Sequence, residues 1–350
     1  MSRRTLAIII AVPLTALLLI AALVLPVPYV LYQPGTTVDV LSTAGGTERI
    51  QVTGHKAYYD DGELRMVTIY VTNPGDEISL GTALWGWVSR DDAVRPYASV
   101  YKDDETDEEN DEESALQMAT SQDVAIAVAL QALGYDVPSV PVVSPIEKGL
   151  PADGKLQPGD HLVSIGGKKI ATWKDVVEAI STSEPGKPLT FVVDRSGTRT
   201  TVEVTPQTIG GRTRVGIGEA YDYKFPFDVR INIDENIGGP SAGLMFSLSI
   251  YDTLTPGSLT GGHIIAGTGE IRPDGSVGPI GGIQQKIAAA RDTGAELFLV
   301  PSANCREALG ATNGDMSLVR ASTMHDAVDS LETWADDPDA DLPSCTEQAS

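Results

Sequence analysis

The clearest pattern in the chain is a largely apolar run over residues 6–25, with no charged residue in it or after it until Asp39. As an α-helix, such a run extends about 30 Å, the thickness of the hydrocarbon core of a membrane. A signal-peptide core is shorter, at about 7–15 residues, and ends at a small-residue cleavage site. The residues before Pro26 offer no such site. The pattern therefore favours an uncleaved single-pass anchor, with residues 1–34 predicted as a cytoplasmic N-terminus and transmembrane helix.

Arg3 and Arg4 precede this run. Positive residues stay on the cytoplasmic side, so the chain after Pro26 is expected to lie outside the cell, attached to its membrane. Cys305 and Cys345 would then lie in an oxidising space, where a disulfide between them could clip a C-terminal tail, residues 338–350, to the body of the protein. Two unpaired thiols are the alternative.

Residues 35–128 are predicted to form a β-rich region with an acidic segment and a helix. β-Branched and aromatic residues at 65–72 are typical of a strand. Residues 103–113 hold nine carboxylates and no basic residue, and are predicted to be a solvated surface segment; weak cation binding is the alternative, without the spacing of a calcium loop. Apolar residues at helical spacing over 124–133 predict a helix that Gly134 ends.

The overall composition excludes nucleic acid as a partner. The chain has 25 basic and 48 acidic residues, a net charge of −23, whereas phosphate binding needs a basic surface. Its four histidines show no metal-ligand spacing. Neither a metal nor a cofactor is predicted.

Residues 156–167 read Leu-Gln-Pro-Gly-Asp-His-Leu-Val-Ser-Ile-Gly-Gly. Pro-Gly-Asp turns the chain, the apolar residues form a strand, and the glycine pair turns it back. This segment resembles the signature of bacterial PDZ domains, and a PDZ domain is predicted over residues 129–207.

PDZ domains bind an extended peptide by adding it as a strand beside a helix. The resemblance implies a groove between the strand near 139–143 and the helix at 175–180, which would recognise protein or peptide partners. A packing domain without a ligand is the alternative. The implied groove residues are Leu133, Gly134, Tyr135, Val142 and Val176.

Residues 239–243 read Gly-Pro-Ser-Ala-Gly and follow a predicted strand. An apolar helix is expected from about Pro240, a residue that suits the first helical position, to Tyr251. The Ser241 hydroxyl would then lie near unpaired helix N–H groups, where an oxyanion is stabilised. The predicted oxyanion loop comprises Gly239, Pro240 and Ala242. A purely structural serine is the alternative.

A second segment, over residues 281–290, predicts a helix that stops at Gly294. On a 3.6-residue period Lys286 falls among the apolar residues Ile283, Ile287 and Ala290. A buried amine has a lowered pKa and can take a proton from a serine hydroxyl. The alternative is an amine that reaches round to water.

Four segments in order resemble Lon proteases: 239–243, the Thr-Gly-Glu at 268–270, the Gly-Pro-Ile-Gly-Gly at 278–282 that leads to Lys286, and the strand at 297–304. The resemblance implies an α/β proteolytic domain, predicted over residues 208–337. It implies Ser241 as nucleophile, Lys286 as base and Thr268 as the residue that orients the lysine, and also a homo-oligomer, hexameric in many Lon-type proteins.

With its PDZ segment and anchor, the chain resembles the YlbL-type Lon-like proteins of Gram-positive bacteria, actinobacteria especially. The expected fold class is therefore multidomain α+β: a transmembrane helix, a β-rich N-terminal region, a PDZ domain and an α/β Lon-type domain. The expected function is that of a membrane-anchored, ATP-independent serine endopeptidase acting on extended or misfolded extracytoplasmic proteins.

Two departures from Lon keep another class open. The aspartate that precedes Gly-Pro-Ser-Ala-Gly in many Lon enzymes is Gly238 here, and the chain has no nucleotide-binding loop of the G-x-x-x-x-G-K-[ST] type. An inactive, membrane-tethered PDZ adaptor is therefore the alternative function. An α/β-hydrolase elbow is a weaker reading, because it would need His263 or His325 as its base.

Overall fold

The computed structural model describes residues 3–102 and 105–348. Ser2 of the basic N-terminus and Asp103 and Asp104 of the acidic run lie outside the described residues. The chain divides into two compact units. The discontinuous unit comprises residues 1–133 and 227–350, and the inserted unit comprises residues 134–226.

The helices and strands are numbered in chain order. The helices are α1 (Arg3–Leu23), α2 (Leu80–Val88), α3 (Asp107–Ala132), α4 (Trp173–Ser181), α5 (Gly243–Leu254), α6 (Ile283–Asp292), α7 (Cys305–Ala308) and α8 (Met324–Asp336). The strands up to residue 204 are β1 (Pro26–Val27), β2 (Tyr29–Asp39), β3 (Thr43–Ala44), β4 (Thr47–Glu48), β5 (Ile50–Thr53), β6 (Glu63–Val71), β7 (Ile78–Ser79), β8 (Ala93–Pro96), β9 (Ser139–Ile146), β10 (His161–Ile165), β11 (Lys168–Lys169), β12 (Leu189–Arg195) and β13 (Thr198–Val204). The later strands are β14 (Gln207–Ile209), β15 (Arg212–Arg214), β16 (Ile217–Tyr223), β17 (Asp228–Ile231), β18 (Ile264–Gly267), β19 (Glu270–Ile271), β20 (Val277–Gly278), β21 (Leu297–Pro301) and β22 (Ser317–Ala321).

A mixed sheet in the order β22-β21-β18-β6-β2-β8 organises the discontinuous unit. The strands from β22 to β6 are parallel, and β2 and β8 are antiparallel to their neighbours. Parallel strands covered by helices read as continuous apolar runs, and all of β21 is buried. α5 and α6 both pack against this sheet.

The predicted β-rich region at 35–128 does not form a unit of its own, which corrects the sequence prediction. β2, β6 and β8 belong to the main sheet, and β6 pairs directly with β18 from the far half of the chain. The physical reason is that β6 buries Leu64, Met66 and Val67, and a strand with so buried a surface needs neighbours on both edges. Local strand propensity does not reveal which distant strand supplies the second edge.

The inserted unit holds a sheet in the order β13-β12-β10-β9-β16 and the helix α4. Asp160, in the Pro-Gly-Asp turn, accepts two hydrogen bonds of 2.7 Å from the Arg195 guanidinium. The unit extends to residue 226, past the predicted end at 207, because β16 pairs with β9 from Ile217 to Tyr223.

The predicted transmembrane anchor is not supported. In the part of the chain that the structure describes, α1 included, no helix reaches the length and apolar character needed to cross a membrane.

The acidic run becomes the first turns of α3, which begins at Asp107 rather than near residue 124. Thr106 caps the helix by accepting the Glu109 N–H. Carboxylates in a first turn complement the positive end of the helix dipole, which explains why this charged stretch is helical.

Cys305 and Cys345 form a disulfide. Both half-cystines are buried in the cluster that also contains Ile283 and Ile287 of α6. The bond therefore joins the C-terminal segment to the core beneath this helix.

Candidate active site

Ser241 lies in a turn between β17 and α5. The helix begins at Gly243, whereas the sequence pattern placed its start at Pro240. The Gly243 N–H donates to the Pro240 carbonyl at 3.3 Å, which closes a turn ahead of the helix, and Gly239 enters that turn at a φ of 85°. Left-handed backbone of this kind is readily available to glycine alone. Ser241 is therefore presented at the helix N-terminus and not within its first turn.

Helix α3 supports this nucleophile turn from outside. The Gly239 N–H donates to the Ser114 carbonyl at 2.9 Å, and the Ser121 hydroxyl donates to the Pro240 carbonyl at 3.1 Å. A Cβ atom at Gly238 would lie 2.6 Å from the Ser114 Cβ. The packing of α3 therefore leaves no room at this position for the aspartate of Lon enzymes.

Lys286 reaches Ser241 from α6. Its Nζ lies 2.6 Å from Ser241 Oγ and 3.1 Å from Thr268 Oγ1. The Thr268 hydroxyl donates to the Ser241 carbonyl at 2.9 Å, and the Gly269 N–H donates to the same carbonyl at 2.8 Å. The structure thus brings together Ser241, Lys286 and Thr268 from three elements that are distant in sequence.

Burial sets the protonation of the lysine. Lys286 is 3% exposed and Thr268 is fully buried. Desolvation lowers the pKa of the Lys286 amine from 10.5 to about 7. A charged amine in this place is disfavoured, and no contribution from a neighbouring charge restores it.

The hydrogen bonds orient the neutral amine. Because the Thr268 hydroxyl proton is directed to the Ser241 carbonyl, Thr268 Oγ1 is free to accept an N–H from Lys286. The lone pair of the amine then points at the remaining neighbour, the Ser241 hydroxyl, which can donate into it.

The role of Asn304 in the site was not predicted from the sequence. Its side-chain oxygen accepts the Ile280 N–H at 2.9 Å, and its side-chain N–H donates to the Ile280 carbonyl at 3.0 Å. This pair of bonds fixes the segment that leads to Gly282, the N-cap of α6. Its place at the end of a Lon-like strand was visible, but the segment it binds was not.

Two of the three residues of the predicted oxyanion loop have no N–H available for an oxyanion. Pro240 has no N–H, and the Gly239 N–H is used by Ser114. Ala242, which is the N-cap of α5, is the member of the three that can present a donor next to the serine.

A cavity of about 1120 Å³ opens onto Ser241 and Lys286. β6 and α3 supply much of its lining. This volume is large enough for several residues of an extended peptide.

The predicted PDZ groove is not where the sequence placed it. β9 is paired on both edges, with β10 and β16, so it cannot accept a further strand. Val142 is 8% exposed and Val176 is 1% exposed, and Val176 belongs to the core of the unit.

Gly134 and Tyr135 lie in the segment before β9, whereas Leu133 is the C-cap of α3 in the discontinuous unit. The edge strands of this sheet are β13 and β16.

His263, one of two candidates for an α/β-hydrolase base, is paired with Glu296 at 3.0 Å, whereas the Ser241 hydroxyl contacts Lys286. Among residues 3–102 and 105–348, no three side chains of the His, Cys, Asp or Glu type are grouped to hold a metal.

Comparison with protein families agrees with this geometry. Residues 228–330 match the Lon protease (S16) C-terminal proteolytic domain. Residues 112–205 match the PDZ domain family. The chain therefore carries a Lon-type serine protease domain and a PDZ domain.

Individual relatives cover short stretches. The Lon protease of Campylobacter concisus is 32% identical over 117 residues, which are 31% of this chain and 14% of that protein. Lon protease 2 of Bacillus subtilis is 31% identical over 107 residues, or 30% of this chain and 19% of that protein. The zinc metalloprotease RasP of Geobacillus kaustophilus is 34% identical over 86 residues, or 24% and 20%. This chain spans no more than a fifth of the length of these three relatives.

Among solved structures, the PDZ domain of an SdrC-like protein from Listeria innocua is 20% identical, with a TM-score of 0.22. The structural match covers 23% of this chain and 92% of the Listeria chain. A score this low supports no conclusion.

Proposed function

We propose that this protein is an ATP-independent serine endopeptidase in which Ser241 attacks the peptide bond and Lys286 is the general base. The 2.6 Å contact between the serine hydroxyl and a buried amine with a pKa of about 7 carries the proposal. A base whose pKa lies near neutral pH combines the correct protonation state with sufficient driving force for proton transfer.

In the first step, Ser241 Oγ bonds to the carbonyl carbon of the substrate while its proton passes to Lys286 Nζ. The carbonyl oxygen becomes an oxyanion, which the Ala242 N–H and the positive end of α5 stabilise. The resulting ammonium keeps Thr268 Oγ1 as an acceptor at 3.1 Å.

In the second step, Lys286 returns this proton to the leaving amine as the carbon–nitrogen bond breaks, and an acyl-serine remains. Water then donates a proton to the neutral Lys286 and bonds to the acyl carbon. Collapse of this second intermediate breaks the ester bond and returns the proton to Ser241.

The substrate in this proposal is an already extended segment, such as a tail, a loop or a misfolded protein. Since the chain has no nucleotide-binding loop, it has no ATP-driven means of unfolding a target. The PDZ domain would hold such a segment by strand addition, and because β9 is paired on both edges, β16 is the edge strand on that side of the sheet.

The location is also a proposal. The Cys305–Cys345 disulfide supports an oxidising compartment outside the cytoplasm. Attachment to a membrane surface is supported by the exposed apolar side chains of α1 and of the neighbouring α2, where Trp85 is 73% exposed. Tryptophan is enriched at membrane–water interfaces. Release of the protein into the soluble fraction when residues 1–25 are removed would support this, and unchanged fractionation would contradict it.

Digestion of β-casein, an unfolded protein, tests the activity. Without nucleotide, the purified chain should cleave it, and Ser241→Ala should abolish cleavage. Ser249→Ala is the matched control, because this serine is buried on α5, the helix that follows the nucleophile turn, and its hydroxyl donates to the Met245 carbonyl away from the cavity. An inactive PDZ adaptor would bind peptides and cleave none, and cleavage that survives Ser241→Ala would exclude the proposed nucleophile.

A further inference from the structure

The cavity above Ser241 is negatively charged on one side. Four carboxylates contribute to its lining, against the cations Arg49 and Lys102 and the desolvated amine of Lys286. The carboxylates are Glu105, Asp111, Glu113 and Asp234.

Asp234 and Arg49 offset each other, because Arg49 lies close enough to Asp234 to interact with its charge. Among the other charged side chains of the lining, Glu105, Asp111 and Glu113 stand against Lys102 and the desolvated amine of Lys286. These three carboxylates, at the start of α3 and just before it, therefore outnumber the cations on this side of the cavity.

The position of α3 relative to the nucleophile is fixed. Ser114 accepts the Gly239 N–H, so Glu113 stands next to the nucleophile turn. Asp111, three residues before Ser114, lies ~5 Å from Ser114 along the helix axis. Glu105 lies a further turn or two away. A span of ~5–15 Å corresponds to two to four residues of extended peptide, at about 3.3 Å each.

Apolar side chains also line the cavity, among them Met66, Val67 and Ile69 of β6, Met118 of α3 and Ile237. Ile237 lies four residues before Ser241, and Met118 lies about one helical turn from Ser121, which binds the nucleophile turn. The cavity thus offers apolar side chains near the bond to be cleaved and carboxylates further along α3.

We propose that Glu105, Asp111 and Glu113 select substrates with a lysine or arginine two to four residues from an apolar cleavage site. These carboxylates of the acidic run, of which Asp111 and Glu113 are exposed, then form a specificity element as well as solvated surface. This inference rests on the proposed peptidase function, since it assigns the substrate class of the same cavity.

Peptides with an apolar centre and a lysine, glutamine or glutamate at each flanking position test this selection by their kcat/KM values. At low salt, the lysine peptide should be cleaved at least fivefold more efficiently than the glutamate peptide at one of the positions two to four residues from the bond. The preference should shrink at 0.5 M salt because exposed charges are screened. Equal cleavage of the lysine and glutamate peptides would overturn the proposal.

A pair of double variants separates the cavity charge from the overall charge of the helix. Glu105→Gln with Asp111→Asn should reduce the preference at least threefold. Glu108→Gln with Glu112→Gln changes the net charge equally on exposed α3 positions that do not line the cavity, and should retain the preference. An equal loss in both double variants would contradict selection by the cavity.

A binding measurement separates this inference from the proposed function. Fluorescence anisotropy with the Ser241→Ala protein and fluorescein-labelled lysine and glutamate peptides reports charge selection without cleavage. Preferential binding of the lysine peptide would support the inference even if the unaltered protein cleaved nothing. Equal binding would refute the inference even if cleavage were efficient.

Discussion

Replacement of Lys286 by methionine should abolish peptide cleavage and at the same time stabilise the fold. The buried amine has a pKa of about 7 in the folded state and 10.5 in its ordinary state. At pH 7 this difference costs the folded protein about 4 kcal/mol, at 1.36 kcal/mol per pKa unit. Methionine is similar in length and carries no charge, so it fills the same space without this cost.

The direction of the pH dependence of stability, and the pH range in which it occurs, follow from the difference in bound protons between the folded and unfolded chains. Between pH 7 and 10.5 the unfolded chain holds the Lys286 proton and the folded chain does not, so stability rises with pH in this range. The penalty should be about 5 kcal/mol at pH 6 and about 2 kcal/mol at pH 9. The advantage of Lys286→Met over the parent should therefore be about 3 kcal/mol larger at pH 6 than at pH 9.

Amide hydrogen exchange of α5 and α6, measured by mass spectrometry, reports the opening free energy of the unit that contains the site. Lys286→Met also loses the contacts with Ser241 and Thr268, which lowers its stability by a similar amount at each pH. The informative quantity is therefore the change in its stability advantage between pH 6 and pH 9. An advantage that is the same at pH 6 and pH 9 would refute the desolvation argument. The matched control is Lys174→Met on α4, a lysine that is exposed in the inserted unit and should show no such pH dependence.

Three further predictions concern residues around the site. Asn304→Ala should lower kcat at least tenfold while circular dichroism stays unchanged, because the segment before α6 loses both hydrogen bonds between Asn304 and Ile280. The control is Asn313→Ala, which removes a hydrogen bond to the Met316 carbonyl instead. An equal loss of kcat in Asn313→Ala would contradict a positioning role for Asn304. Burial raises the pKa of Asp252 to about 6, so ionisation of this carboxyl lowers the stability of the fold as pH rises from about 4 to 6. Asp252→Asn should therefore raise the free energy of unfolding by about 3 kcal/mol above pH 6. The same stabilisation at pH 4 would contradict this argument. Cys345→Ser opens a loop that spans a sequence separation of 40 residues and should lower the free energy of unfolding by about 4 kcal/mol; urea unfolding that is unaffected by this change would show that the bond contributes nothing.

The local elements of the site could be predicted from the sequence because each has a local physical signature. Lys286 among isoleucines and alanines indicated a buried amine, and Gly-Pro-Ser-Ala-Gly indicated a tight turn before a helix. The exact start of α5 could not be predicted, since Pro240 is compatible with either a first helical turn or the turn that precedes it. Ser121 and Ser114 decide between them by binding the turn from α3.

The long-range organisation was beyond the sequence pattern. The pairing of β6 with β18 joins residues some 200 positions apart, and β16 joins β9 across most of the inserted unit. Strand propensity describes the residues that can lie in a sheet but not their partners. For the same reason the peptide groove was predicted at β9. The second edge of β9 is paired with β16, a strand beyond the predicted end of the PDZ domain.

The acidic run shows a different limitation. Composition alone indicated a solvated segment, because like charges at close spacing repel. The helix forms because Thr106 caps it and its first-turn carboxylates meet the positive end of the dipole. Its position against the nucleophile turn then depends on the Ser114 and Ser121 contacts, which no charge pattern encodes.

Titration of the Lys286 amine tests the central claim most directly. In protein labelled with ¹³C at lysine Cε, the resonance that disappears in Lys286→Met identifies this side chain, and its shift can be followed from pH 5 to 11 beside the pH dependence of kcat/KM. We predict a titration near pH 7 and a rate that rises with pH through the same midpoint. A Lys286 amine that stays protonated up to pH 9 or above while cleavage proceeds would contradict its assignment as the base.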